Sequence, residues 1–213
     1  WFVGFSLVSC VVGLGAAGAD DLQLQLRYRQ ETSPGSGRHH TLVRSESWNP
    51  AETAMIVCDV WDAHHCLNAV RRGEELAPRL NEVLTRVRQQ QVTIIHAPSG
   101  CMAAYADHPA RKRATDTPRA ANLPKDIGSW CTKIPAEEDG VYPIDQSDGG
   151  EDDDPEEHAR WAAKLTAIGR NPRAPWTKQS DLITIDAKRD FVTDQGEEVW
   201  SILEQRGIKN VIL

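Results

Sequence analysis

Apolar and polar positions along the chain fall into short, sharply bounded blocks. Residues 54–58, Ala-Met-Ile-Val-Cys, form an uninterrupted apolar run that stops at Asp59. A run of that length reads as a buried strand. In residues 74–90, EELAPRLNEVLTRVRQQ, the positions Leu76, Leu80, Val83, Leu84 and Val87 recur at helical spacing and predict an amphipathic helix. The short β-branched block VTIIH, residues 92–96, predicts a second strand. Strand, helix, strand in that order is a βαβ unit with a parallel crossover. The pattern resumes downstream. DLITID, residues 181–186, predicts a strand, and DQGEEVWSILEQRG, residues 194–207, predicts a helix closed by Gly207 as its C-cap. IKNVIL, residues 208–213, opens a further strand. The expected fold class is α/β with a mostly parallel sheet.

Between these blocks the pattern weakens. Residues 97–135 are rich in loops and prolines, and residues 137–157 are strongly acidic. The acidic stretch lacks the regular spacing and turn glycine of a calcium loop, so it reads as a solvated insertion and not as a metal site. EEHARWAAKLTAIG, residues 156–169, predicts a short helix ending at Gly169. Upstream, residues 20–53 are polar around SPGSG, and Leu22, Leu24 and Leu26 alternate with glutamines. That alternation allows one short edge strand; the rest reads as a leader. Residues 2–14 are apolar and uncharged, followed by GAAGADD. The run is too short to span a bilayer and matches a secretory signal cleaved before Asp20, which places the protein outside the cytoplasm. A lipid-attachment box at residues 7–10 is the variant reading, and the apolar run continuing past Cys10 counts against it. The expected organisation is a signal peptide over residues 1–19, a leader over 20–53, and a domain over 54–213 with an insertion at about 97–157. The start at Trp1 and the apolar finish at Leu213 predict a C-terminally truncated fragment with its upstream charged region also missing. An unpaired sheet edge would then favour aggregation.

Composition narrows the partners. The 213 residues are 40% hydrophobic and 26% charged, with a formal net charge of -7. This is ordinary globular composition. No long basic stripe exists, which argues against nucleic acid; Arg111-Lys112-Arg113 reads as a solvated helix face. The expected partner is a small-molecule substrate, with no membrane span and with a homo-oligomer left open. Export would permit disulfides. Cys101 and Cys131 both fall in loops and form a plausible pair, although the cysteines remaining after cleavage allow other pairings.

In open parallel sheets, ligands bind beyond the carboxyl ends of the strands. Asp59 and His96 occupy such ends. At this point AMIVCDVWDAHHC, residues 54–66, resembles the first-strand motif of the isochorismatase-like cysteine hydrolases, the superfamily that includes nicotinamidases. EQRGIKNVIL, residues 204–213, is similar to that family's approach to its nucleophile. The resemblance covers roughly residues 51–213 by order of elements, is sharp at its two ends, and looks closest to secreted bacterial members. It implies a three-layer α/β/α, Rossmann-like fold and an Asp–Lys–Cys triad. A thiolate would attack a carbonyl or imine-like carbon while the aspartate carries the proton. Asp59 matches the family aspartate. Lys188, after residues 181–186, stands roughly where the lysine would lie, and Lys178 is a second candidate. None of the cysteines fits the expected elbow after NVIL, so the resemblance puts the nucleophile beyond residue 213. Cys66 lies in the first-strand loop, where the family carries no nucleophile, and Cys58 reads as a core thiol.

Trp61, His65 and His96 are the candidate substrate contacts. Trp200 reads as core. No cofactor is required by the triad, but His64, His65, Cys66, His96, Cys101 and His108 come from neighbouring strand-end loops. A divalent metal such as zinc is chemically possible there. The family's Asp-x-His metal motif does not appear after the second strand, where HAPSGC stands. The expected function is hydrolysis of a small amide or related C–N substrate. The competing reading is a non-catalytic α/β domain that binds a metal or small ligand through its strand-end His and Cys residues; an α/β hydrolase with a different nucleophile is a third.

Overall fold

A computed structural model describes residues 20–129 and 151–213. The expected signal peptide, Cys131 and most of the acidic insertion lie outside these residues.

The first element is a hairpin. Strands β1 (Leu22–Glu31) and β2 (His39–Trp48) pair antiparallel from Leu22↔Trp48 to Glu31↔His39. The SPGSG stretch supplies the connecting loop. Gly35 and Gly37 have φ values of +74° and +65°, which only glycine adopts at low cost. Their N–H groups donate to the Glu31 carboxylate at 2.9 and 2.7 Å. Along the strands, Gln23 and Gln25 donate to Ser47 and Ser45 at 2.9 and 2.7 Å. The hairpin is thus registered largely by polar cross-strand pairs. The sequence pattern detects only its Leu22–Leu26 portion, because on the rest of that face Tyr28, Leu42 and Trp48 are separated by Glu46, Arg44 and His40 and show no clean alternation.

The second sheet is parallel, in the order β5-β4-β3-β6. Its strands are β3 (Thr53–Cys58), β4 (Thr93–Ala97), β5 (Phe191–Val192) and β6 (Asn210–Ile212). Alternation divides their side chains between two clusters. Met55, Val57 and Ile94 pack with Leu84 and Val87 of helix α1 (Leu67–Gln89). Ile56, Ile95 and Phe191 pack with Ala114 of α2 (Pro109–Thr115) and Ile202 of α4 (Gly196–Arg206). The protein is therefore mixed α/β with a four-stranded parallel sheet. Helix α3 (Pro155–Ala167) begins where the Asp154 carboxylate accepts from the N–H groups of Glu156 and Glu157, an N-cap followed by proline at the first helical position. No helix among the described residues is long and apolar enough to cross a membrane.

Two expectations are corrected. Helix α1 starts at Leu67, well before residue 74, because its first N–H groups receive a cap from far along the chain. The Asp153 carboxylate accepts from Leu67 N at 2.6 Å and Asn68 N at 2.7 Å. Leu76 is 54% exposed, and Ala77 takes its place on the buried stripe. Residues 181–186 do not form a strand. Ile183 is buried, but its N–H donates to Ser180 O at 3.0 Å, closing a turn, and Asp190 N donates to Asp186 O at 2.9 Å, closing another. The strand comes later, as the two residues of β5, and is too short for any periodicity to reveal.

Candidate functional site

Three strand ends converge on one loop. Asp59 follows β3 directly with φ of +50°, the left-handed region that costs a non-glycine residue about 1–3 kcal/mol and that Asp and Asn tolerate best. Its N–H donates to Ala97 O at 3.2 Å, and its carboxylate accepts from Ser99 N at 2.9 Å. Asp194, just past β5, accepts from Gly100 N at 2.9 Å. The loop after β4 is thereby held between two carboxylates. Asp59 itself stays exposed.

An aromatic wall stands beside it. Trp61 stacks on Trp176 with ring centroids 4.4 Å apart and planes inclined by 10°. The Trp61 indole N–H donates to Ser99 O at 3.1 Å. Behind the wall, residues 176–180 run antiparallel to residues 60–62. Asp62 N donates to Lys178 O at 2.9 Å and Ser180 N to Val60 O at 2.8 Å. The Asp62 carboxylate accepts from Thr177 N, Thr177 Oγ1 and Arg170 Nη2, each at 2.8 Å. Burial pushes this carboxyl up, but the bonds from Thr177, Lys178 and Arg170 prevail and hold it below the usual carboxylate range. Asp62 is therefore a fastening, with its lone pairs already engaged. A cavity of about 110 Å³, bounded by Asp59, Trp61, Asp62, His64, Gly73 and Ser180, opens between these groups.

The structure joins Asp59 and Trp61 at this cavity and separates the other sequence candidates from it. His65 tilts against His64 with centroids 4.1 Å apart; it is His64 that lines the cavity. His96 is fully buried. Period-two alternation puts it on the α1 side with Ile94. There its ring nitrogens lie 3.0 Å from Gln179 Oε1 and 3.0 Å from Asp190 Oδ2. Arg88 reaches the same Asp190 oxygen at 2.6 Å. His96 thus belongs to an internal polar knot and not to a substrate surface. Lys188 precedes β5, which places it at the opposite end of the parallel strands. It shares a groove there with Ala51, Thr93, Arg189 and Arg206. Lys178 lies at the cavity end, with Nζ 2.6 Å from Asp181.

The thiols are not primed for attack. Cys101 is buried, and burial followed by the charges of Asp62, Asp194 and Asp59 pushes its pKa up to about 11. Cys58 is exposed, which corrects its expected place in the core; partial burial and neighbouring Asp59 raise its pKa as well. Burial also raises that of Cys66. The expected His/Cys metal group does not assemble among the described residues: His96 is committed to its knot, and His108 Nδ1 accepts from Ala110 N at 3.2 Å to cap α2. Among the described residues, Cys66 instead groups with Glu151 and Asp153. Sequence reasoning missed Asp194 and Arg170, which no local pattern ties to Asp59 or Asp62. Asp62 stood within the quoted motif and carried a signal only through its proximity to Asp59.

Comparison with protein-family models, curated proteins and solved structures finds no match to this chain.

Proposed function

We propose that the protein is a cysteine-dependent hydrolase of a small amide or related C–N substrate, on a three-layer, Rossmann-like α/β scaffold of the isochorismatase type. The observation that carries this reading is Asp59: a solvent-facing carboxylate at a left-handed strand-end turn, beside an aromatic-walled cavity. The sheet register supports it further. Strand β6 runs parallel to β3 with Thr53↔Asn210 and Met55↔Ile212, so chain continuing along that lane emerges beside Asp59. A thiol there would lie next to its base.

In this mechanism Asp59 takes the thiol proton as the thiolate attacks the carbonyl carbon. The C–N bond breaks, and Asp59 returns the proton to the leaving amine. Water then hydrolyses the thioester and restores the thiol. Trp61, backed by its stack on Trp176, would offer one aromatic face to a flat substrate. Of the two lysine candidates Lys178 lies at the Asp59 end, where it would have to leave Asp181 to serve as the cation, whereas Lys188 lies at the far end of the sheet. The non-catalytic alternative, ligand binding through strand-end histidines, is weakened by the engagement of His96 and His108 in packing and capping.

The test compares the chain with and without added thiol-bearing sequence in register after Leu213. Ammonia release is measured across a panel of small primary amides. Asp59→Asn should lower kcat/KM by about 10²–10⁴-fold while leaving the melting temperature within a few degrees. Undiminished turnover in Asp59→Asn would refute the assignment.

A further inference from the structure

A second group of chemically able side chains lies at the N-terminus of α1, independent of the hydrolase reading. Cys66 Sγ is buried, 3.1 Å from Asp152 Oδ1 and 3.5 Å from Asp153 Oδ1. The ligand atoms of Cys66, Glu151 and Asp153 lie within 4.8 Å of one another. His158, on the first turns of α3, stands beside this group, next to its two carboxylates. Its Nδ1 is 2.9 Å from Glu151 Oε2 and 3.6 Å from Asp153 Oδ2. That nitrogen is shielded from solvent, yet it is not aligned to form a hydrogen bond.

We infer that Cys66, Glu151, Asp153 and His158 form a binding site for a borderline-soft divalent cation, zinc above all. The ligand chemistry selects the ion. A thiolate with an imidazole suits zinc, whereas calcium and magnesium take oxygen ligands. The spacing also fits. Tetrahedral zinc with bonds of about 2.0–2.3 Å requires ligand atoms roughly 3.3–3.7 Å apart. Cys66 Sγ stands 3.5 Å from Asp153 Oδ1, within that range, while His158 Nδ1 lies 3.6 Å from the other oxygen, Oδ2, and 2.9 Å from Glu151, so the imidazole would swing toward the ion to complete the shell. Asp153 keeps its helix-capping bonds in this arrangement, because each carboxylate oxygen has a second lone pair. Binding releases the Cys66 thiol proton to solvent and leaves a thiolate, two carboxylates and a neutral imidazole around the ion. The remaining single negative charge faces the positive end of the α1 dipole, with Arg72 close by on Asp152 at 2.7 Å.

Such an ion would tie the start of α3 to the start of α1. It would also brace the cavity, since the Trp161 indole N–H donates to His64 O at 2.9 Å. Its role here is structural, because all four positions are filled by protein.

The experiment is metal titration of the whole protein with zinc and with cobalt(II). Wild type should bind zinc in equimolar amount, and the cobalt form should show a sulfur-to-metal charge-transfer band. Bound zinc should protect Cys66 from alkylation, as read by peptide mass mapping. Cys66→Ser should abolish the charge-transfer band, and His158→Ala should weaken zinc binding about 100-fold or more. The inference is overturned if wild type shows no thiolate–cobalt band, if Cys66 alkylates equally with and without zinc, or if both variants bind zinc as wild type does. The cobalt spectrum and Cys66 protection need only wild type, so they decide the matter even if a variant fails to fold.

Discussion

Asp190 links three elements through one carboxylate. It receives Arg88 from α1, His96 from β4 and the N–H of Asp186 from the preceding turn, at 2.6, 3.0 and 2.8 Å. Arg88 and Asp190 are 7% and 1% exposed, so removing one partner strands the other. Asp190→Asn should therefore destabilise the protein by about 3–5 kcal/mol, measured by urea unfolding at neutral pH. The same carboxylate sets an acid limit. Burial pushes Asp190 up, but His96, Arg88 and the Asp186 N–H prevail and hold it below the ordinary carboxylate value. A folded-state pKa lowered in this way contributes stability above the unfolded value and loses it as pH falls through the folded one. Wild-type melting temperature should drop as pH falls below about 4, and Asp190→Asn should show a shallower drop. A second residue-scale expectation concerns Cys101. With its thiol held near pH 11 and its side chain buried, it should resist iodoacetamide at pH 8 in the folded protein and react once urea unfolds the chain.

At the scale of elements, helix α4 is fixed by a close approach that intrinsic propensity does not foresee. A Cβ at Gly196, the first residue of α4, would stand 2.5 Å from Ile127 O. Replacing glycine by alanine in a helix gains up to about 1 kcal/mol from propensity, but overpacking against backbone costs about 1–3 kcal/mol. Gly196→Ala should lower the melting temperature; a rise would show that residues 127–129 yield easily. The β1–β2 hairpin poses a different case. It forms a sheet of its own, Leu22 is its contribution to the main apolar clusters, and Val43 is 63% exposed. Two-stranded hairpins are marginal alone. Its amides should exchange with deuterium much faster than those of β3 and β4, as read by mass spectrometry.

Over the whole molecule, the two ends of the parallel sheet differ in charge. Asp59, Asp62 and Asp194 gather at the carboxyl end with Arg170 and Lys178, while Arg88, Lys188, Arg189 and Arg206 gather at the other with Asp190. Much of this scaffold was legible in the sequence. The apolar runs of β3 and β4 and the helical stripes of α1 and α4 follow from local spacing, and Gly207 closes α4 with φ of +63°. The remainder depends on partners distant in the chain. The Arg88–Asp190 pair spans 102 residues and the Asp153 cap on α1 spans 86; neither has a local pattern. Lys188 follows residues 181–186, which form turns and not a strand, and so lies at the end of the sheet opposite Asp59. Asp59 was readable because an apolar strand ending in a carboxylate needs no distant partner to be noticed.

The most direct test of where ligand chemistry resides is amide chemical-shift mapping of this chain during titration with a small primary amide such as nicotinamide. Shifts should concentrate on Asp59, Trp61, His64, Ser99 and Gly100. Shifts concentrated instead on Lys188, Arg189 and Arg206 would move the site to the opposite end of the sheet and contradict the account.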